Sequence, residues 1–217
     1  MSMPYSIIFT IGRMNPPTHG HFELIENLFI HALKHHLRHI HIILSSKTDT
    51  CKNPLDPEYK REFLFAYAIP YIKEKLINTE LYIDKDIESM EVDILLTHEH
   101  NRTWSNDIYS TVSHLLTPLK GNKNKALFIT GPESTFSFDN RVDILRIPRT
   151  TLISGTIVRT LAFHSYRLFK SVYLPYDIAD EDLEFLYDKI IILDPPSESN
   201  ISSMDTYMNS RRHVLCI

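Results

Sequence analysis

Residues 5 to 25 read YSIIFTIGRMNPPTHGHFELI, and this stretch constrains the fold more than any other. An apolar β-type run, Tyr5 to Ile11, is broken by Gly12. Arg13, Met14 and Asn15 lead into the pair Pro16-Pro17 and then Thr18-His19-Gly20-His21. Phe22, Ile25, Leu28, Phe29 and Ala32 follow at the spacing of one helix face. That spacing predicts a helix from about His19 to His36, entered through the prolines and capped by Thr18. Thr18 and His21, three apart, share one side of its first turn. Free backbone N–H groups and the positive end of the helix dipole make such a turn an anion site. Two polar side chains aimed at it suit phosphate chemistry.

The rest of the chain builds a rim around this turn. A second β-type run, Ile40 to Leu44, ends in Ser45-Ser46-Lys47. Strand, helix, strand implies parallel pairing with a right-handed crossover, and ligands bind beyond the carboxyl ends of such strands. The loop SSKTDTCKNPLDPEYKREFL brings Lys47, Lys52, Lys60 and Arg61 towards any phosphate there, or is simply a solvated basic loop. Pro57, Glu58 and Lys60 open a helix. Leu81 to Ile83 predicts a third strand, and Val92 to Thr97 fits another strand or the core of a short helix. A helix follows over Asp107 to Leu116, then a turn at Gly121-Asn122. Ala126 to Thr130 predicts a buried strand ending in Gly131-Pro132-Glu133, and Asp143 to Ile147 a further one with Arg146 and Arg149 at its end. In LISGTIVRTLAF, residues 152–163, Ser154 caps a helix that buries Ile157, Val158 and Leu161. Thr156 and Arg159 share one face of its first turn, a second anion site. Asp180 or Glu181 opens a last helix packed by Leu183, Leu186 and Ile190. Residues 195 to 212, rich in serine and asparagine, read as a flexible end or a lid.

Both helix starts resemble a known family. Thr18, Gly20 and His21 resemble the (H/T)xGH signature of the nucleotidyltransferase superfamily. Gly12-Arg13-x-Asn15-Pro16 resembles the GRFxP run of nicotinamide-mononucleotide adenylyltransferases. It is more similar still to the GRxNPPT run of nucleotidyltransferases from large viruses and phages. Ile153, Ser154, Gly155, Thr156 and Arg159 resemble the IS(S/G)TxxR signature, some 130 residues downstream. The run KNPLxxxxKxxFL, starting at Lys52, resembles a segment of the same viral and phage proteins and the KNP(F/L) stretch of archaeal-type relatives. Residues 165–190 are similar to the tail of the viral relatives.

The resemblance implies a Rossmann-like, doubly wound α/β fold. Its five-stranded parallel sheet would have the order 3-2-1-4-5, with a small C-terminal helical appendage. Residues 1–163 would form the nucleotidyltransferase domain and 164–217 its appendage and tail. The implied reaction transfers AMP from ATP to a phosphate-bearing acceptor, first of all nicotinamide mononucleotide, giving NAD and pyrophosphate. His21, Thr18 and Arg159 would be catalytic, His21 donating a hydrogen bond to the α-phosphate. Gly12, Arg13, Asn15, Gly20, Gly131, Ser154, Gly155 and Thr156 would bind the nucleotide. Lys52, Asn53, Trp104 and Glu133 would contact substrate, Trp104 as a stacking platform for the pyridine unless it is a core residue. Glu133 stands where relatives tend to carry aspartate, and Ser134 where viral relatives often carry arginine. Mg²⁺ would accompany ATP, held largely by phosphate oxygens and water.

Other features set bounds. A net charge of -4 draws in no nucleic acid globally, so local cations must hold any phosphate. Cys51 and Cys216 cannot form a disulfide framework, which fits a reducing compartment. No apolar run reaches membrane length and no signal peptide is visible, so a soluble cytoplasmic protein is expected, with homo-oligomers left open. The twelve histidines include His31, His35, His36, His39 and His41, read as a solvated helix end rather than a zinc site, and His98-Glu99-His100 lacks HExxH spacing. Three alternatives compete with the leading function. Two are a cytidylyltransferase and a phosphopantetheine adenylyltransferase of the same superfamily. The third is a non-catalytic nucleotide sensor. A tRNA synthetase is excluded by the lack of a KMSKS-like loop.

Overall fold

The computed structural model describes residues 5–48, 53–97, 104–121 and 123–192, with the backbone only for residues 104–106. Strands β1 (Tyr5–Gly12), β2 (His39–Leu44), β3 (Glu91–Leu96), β4 (Lys125–Thr130) and β5 (Val142–Arg146) form one sheet of order β3-β2-β1-β4-β5. Every pair is parallel, with Phe9 opposite His41 on one side of β1 and Phe128 on the other. This is the doubly wound, Rossmann-like α/β architecture that the sequence predicts.

Alternation along β1 divides the core. Ile8 points to a large cluster with α1 (His19–Lys34), whose Phe22, Ile25, Leu28, Phe29 and Ala32 are buried as the helical spacing requires. One long helix shares that face: α2 (Pro57–Phe63), a π-helical segment (Leu64–Ala68) and α3 (Ile69–Ile77). So do α6 (Gly155–His164), α7 (Tyr166–Ser171) and α8 (Asp180–Ile191). Ile7, Phe9 and Ile11 point the other way, to a smaller cluster under α5 (Trp104–Leu115) that also holds Phe128 and is flanked by Phe136 and Phe138. The described helices include none long and apolar enough to cross a membrane.

The third strand is not where the apolar triplet Leu81 to Ile83 suggests. Leu81 and Ile83 are among the most exposed large apolar side chains, 76% and 69%. They precede α4 (Asp84–Glu88), whose first turn carries Asp84 and Asp86, charges suited to a helix start. The real edge strand is Glu91–Leu96. Its pairing with His39–Leu44 decides between strand and helix, and cross-strand contacts of His39 with Glu91 and His41 with Asp93 decorate it.

The helices after residue 164 are bound to the first loop by two tyrosines. The buried Tyr173 hydroxyl donates to the Pro17 carbonyl at 2.8 Å. Tyr176, in a 3₁₀ turn (Leu174–Tyr176), packs on Phe22 at 4.3 Å between ring centres and hydrogen-bonds His19.

Candidate functional site

A cleft of about 220 Å³ opens beyond the carboxyl ends of β1 and β4. Its walls are Gly12, Thr18, Gly20, His21, Glu23 and Leu24 on the α1 side, Thr130 to Ser134 after β4, and Ile147 to Arg149 after β5.

The first loop is built to hold the start of α1. Met14, fully buried, adopts a left-handed φ of 47°, and its side chain fills the space a Cβ on Gly12 would need, 3.0 Å away. The Asn15–Pro16 peptide is cis. The Asn15 side chain is spent on the next loop: Oδ1 accepts from Leu55 N–H at 3.0 Å and Nδ2 donates to the Leu55 carbonyl at 3.4 Å. Thr18, extended and buried, is the N-cap, and the His21 and Phe22 amides donate to its carbonyl. The Thr18 N–H donates to His21 Nδ1 at 3.0 Å, and Thr18 Oγ1 lies 2.9 Å from the same nitrogen. Nδ1 is therefore an acceptor, and the proton of a neutral ring sits on Nε2. Burial, and then the charge of Arg149, lower the His21 pKa to about 4. The imidazole is thus a neutral hydrogen-bond donor on the wall of the cleft at physiological pH.

That shift has a measurable cost. With the folded value near 4 and the ordinary value of 6.5, the unfolded chain binds the extra proton between these limits. Stability contributed by neutral His21 is complete above pH 6.5 and lost as pH falls towards 4, on the order of a few kcal/mol. His21→Gln is expected to flatten this acid limb in urea unfolding followed from pH 7 to pH 4; an unchanged limb would contradict the assignment.

The second helix start meets the first. Ser154 Oγ accepts from the Ile157 amide at 3.3 Å and caps α6. Arg159 Nη1 donates to the Asn15 carbonyl at 2.5 Å, and Nη2 to Thr156 Oγ1 at 3.2 Å. A Cβ on Gly155 would lie 3.1 Å from the same carbonyl, so the glycine allows this approach. Gly20, on the other side, lies against the Thr151 side chain.

Of the remaining predicted residues, Gly131 and Glu133 line the cleft, and Glu133 reaches within 3.8 Å of Arg149. Arg13 is exposed on the rim and Asn53 is buried beside Leu55. Lys52, Cys51, His98-Glu99-His100 and the chain after residue 192, with Cys216, lie outside the described residues, as does the Trp104 side chain. No protein-family model matches the chain, and no curated protein matches it. The two loops alone carry the functional reading.

Lys60 departs from its expected place in a basic loop. It is fully buried, donating to the carbonyls of Ser45 at 2.7 Å and Arg13 at 3.2 Å. Burial lowers its pKa to about 8, partly offset by Asp56. It fastens the β1 and β2 rims together from below. Arg61 pairs with Glu58.

Several cleft residues carry no mark in the sequence, Leu24 and Pro148 among them. In the sequence Arg149 simply follows a strand, yet its guanidinium lies in the cleft and bears on His21. Glu23 and Ile147 had no motif to mark them. A second groove, about 810 Å³, lies beyond β2 and β3, lined by Ser46, Thr48, Thr97, Thr111, His114 and Leu115 among others.

Proposed function

We propose that the protein is a nucleotidyltransferase that moves AMP from ATP onto a phosphate-bearing acceptor, first among them nicotinamide mononucleotide, with NAD and pyrophosphate as products. The observation that carries the reading is the meeting of two helix amino ends. The guanidinium of Arg159 is fixed to the carbonyl of Asn15, and three residues past that carbonyl Thr18 aims a neutral, donor-bearing His21 into a cleft. Helix amino ends with hydroxyls and cations suit polyphosphate.

An acceptor phosphate oxygen would attack the α-phosphorus in line, forming one P–O bond as the bond to the departing pyrophosphate breaks. No protein nucleophile takes part, so alignment and neutralisation of charge do the work. His21 Nε2–H would donate to an α-phosphate oxygen and strengthen as charge grows there. Ser154, Thr156, Arg159 and Arg149 would hold the β- and γ-phosphates. Leu24, Ile147 and Pro148 offer an apolar seat for the base, and Glu133, after the small Gly131, offers an acceptor for ribose hydroxyls. The groove beyond β2 and β3 would seat the acceptor. Mg²⁺ would accompany the triphosphate, held largely by phosphate oxygens and water, since the described residues offer no cluster of His, Cys, Asp or Glu ligands. Bound there, it would neutralise charge on the triphosphate.

Pyrophosphate release, measured for each nucleoside triphosphate against a panel of phosphate acceptors, tests the proposal. ATP with nicotinamide mononucleotide is expected to release pyrophosphate and form NAD. Turnover with CTP and an alcohol phosphate would redirect the reading to a cytidylyltransferase. Nucleotide binding without pyrophosphate from any pair would make the protein a sensor.

A further inference from the structure

The first residue of α1, His19, belongs to a chain of polar contacts that joins Tyr176 to the loop after β5. Its Nδ1 is bonded to the hydroxyl of Tyr176, and its Nε2 lies 3.2 Å from Glu23 Oε1. The same Glu23 oxygen accepts the hydroxyl of Thr150, which neighbours Arg149. Tyr176 cannot drift, since its ring is buried against Phe22 and Tyr71. The order of donors is consistent from end to end. Tyr176 O–H donates to Nδ1, Nε2–H donates to the carboxylate, and Thr150 O–H donates to it from the opposite side.

The chain resolves a puzzle in the cleft. Glu23 lines a site read as binding polyphosphate, where a carboxylate repels the ligand. Two donors turned onto Glu23 spread its charge, and the link through Thr150 ties the strand-end loop to α1. That loop is otherwise pinned loosely: Arg149 reaches the Ile153 carbonyl at 3.4 Å and Glu133 at 3.8 Å, and Thr150 is exposed.

We propose that Glu23, fixed by His19 and Tyr176, is a positioning residue that acts through Thr150 to hold Arg149 over the phosphate end of the cleft. The role of Arg149 towards phosphate rests on the function proposed above; the latch itself does not. Both bonds fall on one oxygen, Oε1. Glutamine keeps an acceptor oxygen there and leucine does not, so the two variants separate hydrogen bonding from mere occupancy.

The test uses the full chain with MgATP as probe. Calorimetry is expected to give about tenfold weaker binding for Glu23→Leu and for Thr150→Val, whereas Glu23→Gln, which keeps the acceptor and removes the repelling charge, should bind at least as tightly as wild type. In an Arg149→Ala background, Thr150→Val should add nothing, whereas a merely structural role would give additive losses. The His21 ring signals of the nucleotide-free protein at neutral pH provide the second arm, because Arg149 bears on that ring. Thr150→Val and Glu23→Leu should move them in the direction that Arg149→Ala does, and Glu23→Gln should not. Unmoved ring signals, or additivity with Arg149→Ala, overturn the latch. If wild type binds no MgATP, the function proposal falls while the ring signals still decide the latch.

Discussion

His21→Ala is expected to fold and to lose turnover by about 10²–10³-fold, with little change in KM for ATP. The loss follows from what the ring does. Its Nδ1 is occupied by the Thr18 amide, so Nε2–H is the one donor it can offer the cleft. A donor already in place before charge develops on the α-phosphate costs nothing to reorganise during the step. Folding survives because the first turn of α1 is closed by backbone bonds from His21 and Phe22 to Thr18. Losing the side-chain bond removes roughly 1 kcal/mol, or about 2–4 °C in Tm for a chain of this size. Pyrophosphate release kinetics and a thermal melt on the same preparation separate the two effects. Wild-type kcat in the variant would end the catalytic assignment.

Arg159→Ala is expected to lower kcat/KM for ATP by about 10²-fold, chiefly through weaker triphosphate binding. Lysine should not restore it. The guanidinium reaches the Asn15 carbonyl and Thr156 Oγ1 at once, and a point charge on a flexible stem cannot reproduce that fork. The residue also has a structural duty, since the Asn15 it grips holds Leu55 in both directions. Stability will therefore fall too. Direct MgATP affinity measured below the melting temperature decides between the roles. An unchanged Kd alongside a lowered Tm would leave Arg159 as a bolt between two helix starts and no more.

The legible parts of this protein were those whose signal is local. The fold followed from β1, α1 and β2, where period and turn chemistry agree, and both helix starts announced themselves through Thr18 and Ser154. The third strand is hard to place from sequence because edge pairing with β2 leaves no mark in a six-residue run, while Leu81 to Ile83 carry the right residue types outside the sheet. Lys60 shows the same limit in a different form. Nothing in a basic loop tells which ammonium turns inward to a pair of carbonyls. Glu23, Ile147 and Arg149 enter the cleft only because β5 and α1 converge there, a juxtaposition made by topology over more than a hundred residues.

β1 lies in the middle of the sheet, flanked by β2 and by β4, with Tyr5 opposite Lys125. On the ribosome this central strand emerges more than a hundred residues ahead of β4, so its second flank arrives late. The far wall of the cleft and the second helix start come later still. A fragment cut short before α6 lacks the second helix start, so under the proposed function a nucleotide would stabilise only molecules whose synthesis has run past that point. Protection from proteolysis by MgATP would then report chains that include α6 and ignore shorter ones.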